Sequence, residues 1–259
     1  MPLVRDRCIC LRKVEYSETS QIVALFARGH GIIRLIAKGA HRRTKAGASK
    51  FDGGVDLLDL GDAVFSHAPE RDLCPLTEWH LVDGHLELRR GLRGMYLGLY
   101  AAELIGTLIE EHDAHPNLFD RFEQTLKDLA TPRTEEAFLA FELDLLRETG
   151  YLPELGACVQ CGAALGERDG RVFFTPARGG VVCRNCEMTT PDRIETDPRL
   201  IRMVQGLMRL ARDGSGVERL PRLTTHQTNP VNRIIAEHVE HMLSRRLRMP
   251  AYVIARNGA

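Results

Sequence analysis

The sequence predicts an α+β multidomain protein: a small N-terminal β-barrel, then an all-α helical domain that carries an inserted four-cysteine module. Three observations predict this. Apolar residues in the first 67 positions recur with period two in short runs, broken by Gly-rich or charged turns. From about Leu86 the period changes to three or four. Four of the seven cysteines form two C-x-x-C pairs. The boundary is expected at residue 80, giving a barrel over 1–80 and a helical domain over 81–259, interrupted by the insert at 156–189.

Individual elements follow from the same patterns. Strands are expected from Cys8 to Val14, Ile22 to Ala27, Ile32 to Lys38, Val55 to Leu60 and Ala63 to His67. In the third, Ile33, Leu35 and Ala37 alternate with Arg34, Ile36 and Lys38, which turns one apolar set inward and both cations outward. The first helical stripe comprises Met95, Leu99, Ala102, Ile105 and Ile109, and Leu118 to Leu129 repeats it. A third helix runs from Thr134, read as its N-cap with Glu135 and Glu136 in the first turn, to Gly150. Asp197-Pro198 opens another, ending near Gly214, and Asn229-Pro230 opens the last, which reaches about Met249.

With 44% apolar and 27% charged residues and no apolar run near the roughly 18 residues of a membrane span, disorder and membrane insertion are not expected. The N-terminus is charged too early for a secretory signal, so a cytoplasmic location is expected. The 35 basic and 35 acidic residues cancel overall but not locally: residues 1–80, 81–157 and 158–259 carry net charges of +2, −8 and +6. A neutral total therefore leaves room for an anionic partner at either end.

Cys158-x-x-Cys161 and Cys183-x-x-Cys186 are separated by 21 intervening residues, a spacing that brings two thiolate pairs onto one tetrahedral ion. Arg171 to Thr175 can pair with Gly180 to Val182 as a hairpin between them, so the insert reads as a zinc ribbon. Four thiolates fill the coordination shell, and one structural Zn2+ is expected to fold the insert without doing chemistry. Without it, about 30 polar, Gly-rich residues lack the apolar surface to fold alone. Cys8, Cys10 and Cys74 have no such spacing and read as core residues.

Between Arg34 and Lys50 lie Arg34, Lys38, Arg42, Arg43, Lys45 and Lys50 with no acidic residue. Leaving the third strand through Gly39, this run forms a cationic arm beside a positive barrel face, and a polyanion is its natural partner. Of the aromatics in the first 80 residues, Tyr16, Phe26, Phe51, Phe65 and Trp79, most alternate with polar neighbours as core residues do. Phosphate contact without base stacking is therefore expected. If all six cations engage phosphates, log K should fall with log salt at a slope of about −4 on single strands.

The order of barrel, basic loop, helices and ribbon resembles the bacterial recombination mediators of the RecO family. The resemblance rests on Leu11-Arg12-Lys13, Tyr16-Ser17-Glu18-Thr19, His30-Gly31 and Ala37-Lys38-Gly39-Ala40 in the first domain. In the second it rests on Gly150-Tyr151-Leu152-Pro153, the two cysteine pairs and Phe174-Thr-Pro-Ala-Arg-Gly-Gly180. It implies an OB-fold barrel, binding of single- and double-stranded DNA, strand annealing in DNA repair, and loading of RecA onto DNA coated by single-strand binding protein. RecR and the acidic, apolar-ended C-terminal tail of single-strand binding protein are the implied partners, in a cytoplasmic, nucleoid-associated protein. Such a tail needs an apolar notch flanked by cations. The last helix offers Met242, Leu243 and Leu247 beside Arg245, Arg246 and Arg248.

Enzymatic readings find less support. No G-x-x-x-x-G-K-[ST] run is present, and no nucleophile with acid and base can be assembled, so no catalytic residue is expected. His238-Val-Glu240 resembles half of a zinc deaminase signature but follows the cysteine pairs, neither of which is preceded by Pro. His112 and His115 read as residues of a helix end. The competing class is a zinc-ribbon module that docks on another protein without binding DNA, for which the basic loop would be dispensable.

Overall fold

The computed structural model describes residues 3–41, 50–51, 53–66, 70–165, 171–212 and 217–254, without the side chains of 210–212 and 217. Five strands, β1 (Leu3–Ser17), β2 (Ser20–Ala27), β3 (Gly31–Ala37), β4 (Leu60–Ser66) and β5 (Cys74–Asp83), close into a barrel in the order β1-β2-β3-β5-β4. Every pairing is antiparallel except β3 with β5, where Leu35 meets Cys74 and Ile36 meets Pro75. This is the strand order of the OB-fold. Its interior is filled by Cys8, Cys10, Val23, Leu25, Leu35, Phe65 and Trp79 among others, so the three cysteines outside the pairs are core residues. Burial pushes the Cys8 and Cys10 thiols up, which keeps them neutral and unreactive.

Two strand assignments need correction. Val55 to Leu60 is a turn: the Asp56 N–H donates to Asp59 Oδ2 at 2.9 Å, and Leu58 adopts φ 64°. Val55, Leu58 and Leu60 are buried, a spacing that mimics a strand only in composition. The fifth strand lies instead at Cys74–Asp83, where a register shift opposite Val64 and Phe65 breaks the alternation, so that Cys74, Leu76 and Trp79 all face inward. That shift, together with Pro75, hides the period of two.

Gly61 is required by Trp79. A Cβ at position 61 would sit 2.5 Å from the indole Cζ2 and 2.7 Å from the His80 carbonyl oxygen. Gly61→Ala is expected to lower stability by about 1–3 kcal/mol or more, because indole and backbone must both shift. A urea midpoint equal to that of the wild type would contradict this packing. Gly31, at φ 68°, is similarly constrained by the Asp113 backbone, which lies where its Cβ would be.

The helices are α1 (Leu86–Arg90), α2 (Leu92–Leu108), α3 (Pro116–Asp128), α4 (Thr134–Glu148), α5 (Pro198–Arg212), α6 (Thr225–Leu243) and α7 (Pro250–Val253). None is long and apolar enough to cross a membrane among the described residues. The chain forms two compact units, Met1–Pro132 and Arg133–Ala259, so α1 to α3 group with the barrel. In α2 the buried face is Leu97, Ala101, Leu104, Ile105 and Leu108; Met95 and Leu99 are only half-buried, one step off the expected stripe.

Two helix starts differ from expectation. Thr134 is the first helical residue of α4, and Arg133 is the N-cap. The acids after it do more than favour the helix dipole: Glu136 accepts the Leu223 N–H at 2.7 Å, and Glu135 accepts the Thr228 hydroxyl at 2.5 Å. Both are buried. Helix α6 begins at Thr225, before Asn229-Pro230, because Thr224 and Gln227 form a capping box and Pro230 is tolerated inside. It ends at Leu243, where Ser244 turns left-handed at φ 49°. Arg245, Arg246, Leu247 and Arg248 therefore lie beyond the last long helix and not on it.

Within the second unit β6 (Val172–Thr175) and β7 (Gly180–Cys183) of the insert form a three-stranded sheet, ordered β7-β6-β8, with β8 (Ile194–Thr196), which lies beyond the expected limit at residue 189. The expected hairpin is present, with Thr175 opposite Gly180 and Phe173 opposite Val182. His238 of α6 reaches the Tyr151 carbonyl through Nε2 (3.0 Å) and the Pro176 carbonyl through Nδ1 (3.4 Å), tying the insert to the helix. A Cβ on Gly179 would meet the His238 ring at 2.8 Å, and one on Gly180 would meet the Glu154 carbonyl at 2.7 Å. The Gly179-Gly180 pair thus marks close approach, and His238 is a structural anchor.

Candidate nucleic-acid interface and metal centre

In the metal centre, the first C-x-x-C pair sits on a tight turn. Gly162, at φ 73°, donates its N–H to the Cys158 carbonyl at 2.8 Å, and the Val159 N–H donates to Val181 across to β7. The second pair starts at the end of β7, where Cys183 leads into a 3-10 turn over Arg184–Thr189; the Thr189 hydroxyl donates to the Cys186 carbonyl at 2.8 Å. Cys158, Phe173 and Val182 form a small core beneath, with Val159, Cys183 and Cys186 against it.

The four Sγ atoms of Cys158, Cys161, Cys183 and Cys186 lie within 4.8 Å of one another, with Cys161 and Cys183 at 3.8 Å. Thiolates at about 2.3 Å from a tetrahedral ion are about 3.8 Å apart, so the donor set fits a closed four-sulfur site. Burial opposes ionisation of Cys158, yet hydrogen bonds involving the backbone of Cys183, Cys161 and Gln160 outweigh it and lower the thiol to about 6. Cys186 is pushed up to about 12 by burial and by its three sulfur neighbours. Four thiols this close need a cation to ionise together. Among the described residues, no other group of three or more His, Cys, Asp or Glu side chains is close enough to share a metal ion.

The barrel carries the second candidate site. In antiparallel strands, residues directly opposite share a face. Arg12 pairs with Ala24, which pairs with Arg34; Val14 pairs with Ile22, which pairs with Ile36. Arg12, Val14, Arg34 and Lys38 are exposed, and Ile22, Ala24 and Ile36 half-buried, so this is the outer face of β1, β2 and β3. Arg34 and Lys38 stand on it as the alternation predicts. Arg34 meets Glu111 at 3.4 Å with both side chains about half exposed, a screened contact that a phosphate can displace. Lys38 has no hydrogen-bond or ion-pair partner among the described residues. Lys50 is exposed, and its carbonyl accepts the Trp79 N–H at 2.8 Å, which fixes it beside β5. Arg42, Arg43 and Lys45 lie outside the described residues.

Two sequence models cover nearly the whole chain: recombination protein O, N terminal, over residues 1–85, and recombination protein O, C terminal, over residues 89–249. The chain belongs to the RecO family. Similar proteins include "DNA repair protein RecO" of Anaeromyxobacter dehalogenans strain 2CP-C, 32% identical over 248 residues that span 95% of this chain and 94% of the relative. The protein of the same name from Rhodopirellula baltica is 36% identical over 69% of this chain and 65% of its own. That of Myxococcus xanthus is 29% identical over 94% and 93%.

For a RecO-family chain in DNA repair and recombination, the OB-fold face is the feature of interest. The face also carries Arg12, which lies beyond the acid-free run but in register with Arg34. A bulge between Cys10 and Arg12 sets that register, and no local pattern announces it. At the other end of the RecO-family chain, Met242 is 47% exposed and Leu243 half-buried at the close of α6. Arg245 and Arg246 line a polar cleft with Pro176, Glu237, Glu240 and His241. Arg246 contacts Glu240 at 3.2 Å.

Proposed function

We propose that this chain is a recombination mediator that binds single- and double-stranded DNA through phosphate contacts and anneals complementary strands. With RecR it would help load RecA onto DNA coated by single-strand binding protein. The observation that carries the reading is the row of cations on the outer barrel face, Arg12 with Arg34 and then Lys38, on the strands an OB-fold uses for oligonucleotides. Arg42, Arg43, Lys45 and Lys50 would extend that path. In this reading residues 1–80 bind DNA and residues 81–259 serve partners. No step of it requires bond breaking; loading draws on binding energy.

The chemistry of the four sulfurs favours Zn2+, which would hold β6, β7 and the two cysteine turns together as a structural ion. For the tail of single-strand binding protein we assign Met242, Leu243, Arg245 and Arg246. An acidic tail there has to displace Glu240 from Arg246.

The test is equilibrium binding to an oligonucleotide across a salt series. Charge reversal of Arg34 and Lys38 to Glu should weaken binding roughly tenfold or more and make the salt slope shallower by about 1.4 on single strands. Unchanged affinity and slope, with metal content and fold intact, would favour the protein-docking reading.

A further inference from the structure

The outer face of β1, β2 and β3 is not uniformly charged. Between the Arg12–Arg34 row and Lys38 runs an apolar row, Val14, Ile22 and Ile36, and Val14 is 45% exposed. Tyr16 stands at the end of it. Four of the five aromatics in the first 80 residues are core: Phe26, Phe51, Phe65 and Trp79 are at most 5% exposed. Tyr16 is 65% exposed.

The backbone explains why. The β1–β2 register shifts between Glu15, opposite Gln21, and Ser17, opposite Ser20, so Tyr16 is the extra residue of a bulge. Bulges re-aim side chains. Glu15 and Ala37 both pair with Gln21, so Tyr16 and Lys38, each one residue further on, flank the same level of the sheet. A ring on β1 with a lysine at the same level two strands away, and an apolar strip leading to two arginines, offers a flat surface for a base and cations for the phosphates around it.

We propose that Tyr16 is a base-stacking platform, and that it lets the barrel distinguish unpaired DNA from duplex. The inference rests on the DNA-binding reading above and replaces the expectation of phosphate contact alone. In a duplex each base face is already stacked on its neighbours, so Tyr16 engages only an unpaired base, whereas Arg12, Arg34 and Lys38 serve phosphates of either form. A single platform holds one base and leaves the others free to find a complementary strand.

The full-length protein is titrated with a labelled oligo-dT and with a hairpin duplex at several salt concentrations. Tyr16→Ala should weaken oligo-dT binding roughly five- to hundredfold, leave duplex affinity within about twofold, and leave the salt slope unchanged. Tyr16→Phe should retain wild-type affinity for both. Unchanged oligo-dT affinity in Tyr16→Ala, or equal weakening on both substrates, overturns the platform. Loss in Arg34→Glu/Lys38→Glu with silence in Tyr16→Ala rejects stacking and keeps the phosphate reading. Loss in Tyr16→Ala with silence in the charge reversal does the opposite. Silence in both means that this face serves another partner, and both readings fall. Because Tyr16 is exposed and its removal empties no core, equal thermal midpoints are expected for all three proteins.

Discussion

Replacing Cys158 with alanine is expected to unfold the insert between Gly156 and Thr189 while leaving the barrel intact. Cys158 is the buried member of the four-sulfur group, and Phe173 and Val182 pack against it. The strands are short, three residues in β8 and four each in β6 and β7, and His238 and the buried Phe174 hold the hairpin at its Pro176 end, so the cysteine turns at the other end depend most on the ion. In small metal-folded modules the ion supplies about 10–16 kcal/mol of apparent binding free energy, which is the folding free energy of the module. Wild-type protein should therefore contain one Zn2+ per chain. Cys158→Ala, or treatment with a strong chelator, should release the ion and open the segment to protease while the unit Met1–Pro132 stays resistant. Retention of metal and of protease resistance in Cys158→Ala would exclude a closed four-thiolate site.

Glu142→Met is expected to stabilise the protein, and by more as the pH rises. Glu142 lies in α4 with no exposure, and neither carboxylate oxygen has a hydrogen-bond partner among the described residues. Burial pushes its carboxyl well above the usual range near 4.5, so the folded state holds a proton that the unfolded state releases. Below the ordinary carboxylate range both states are protonated, and only the cost of burying the neutral carboxyl remains. As the pH climbs from there towards the folded-state value, the unfolded state binds fewer protons and stability falls. An unpaired buried polar group costs about 1–3 kcal/mol, and a methionine of similar shape removes that cost. Urea midpoints at about pH 5 and about pH 8 should show a larger gain at the higher pH. An equal or smaller gain there would mean that Glu142 is ionised in the fold.

Much of this protein could be read one residue at a time. The two C-x-x-C pairs are a spacing and nothing more, and that spacing suffices to bring the four sulfurs within 4.8 Å of one another. The alternation in Gly31–Ala37 likewise placed Arg34 and Lys38 outside, because a strand has two faces and one of them is core. Other features were present but masked by stronger local signals. Thr224-x-x-Gln227 is a capping box in plain view, yet Asn229-Pro230 is the louder start signal, and only the finished helix shows that Pro230 fits inside it.

Local pattern was enough for the ribbon, the switch from strands to helices and the sign of charge on β3, because each depends on neighbours a few positions away. The folded chain alone shows what depends on register across distant strands. It placed β5 at Cys74–Asp83 after a turn that looked like a strand, set Arg12 level with Arg34, buried Glu142 completely, and turned Tyr16 outward on a bulge. The physical reason is that a one-residue shift in pairing reverses every side chain beyond it, and a chain read in one dimension carries no record of which shift its partner strand imposes.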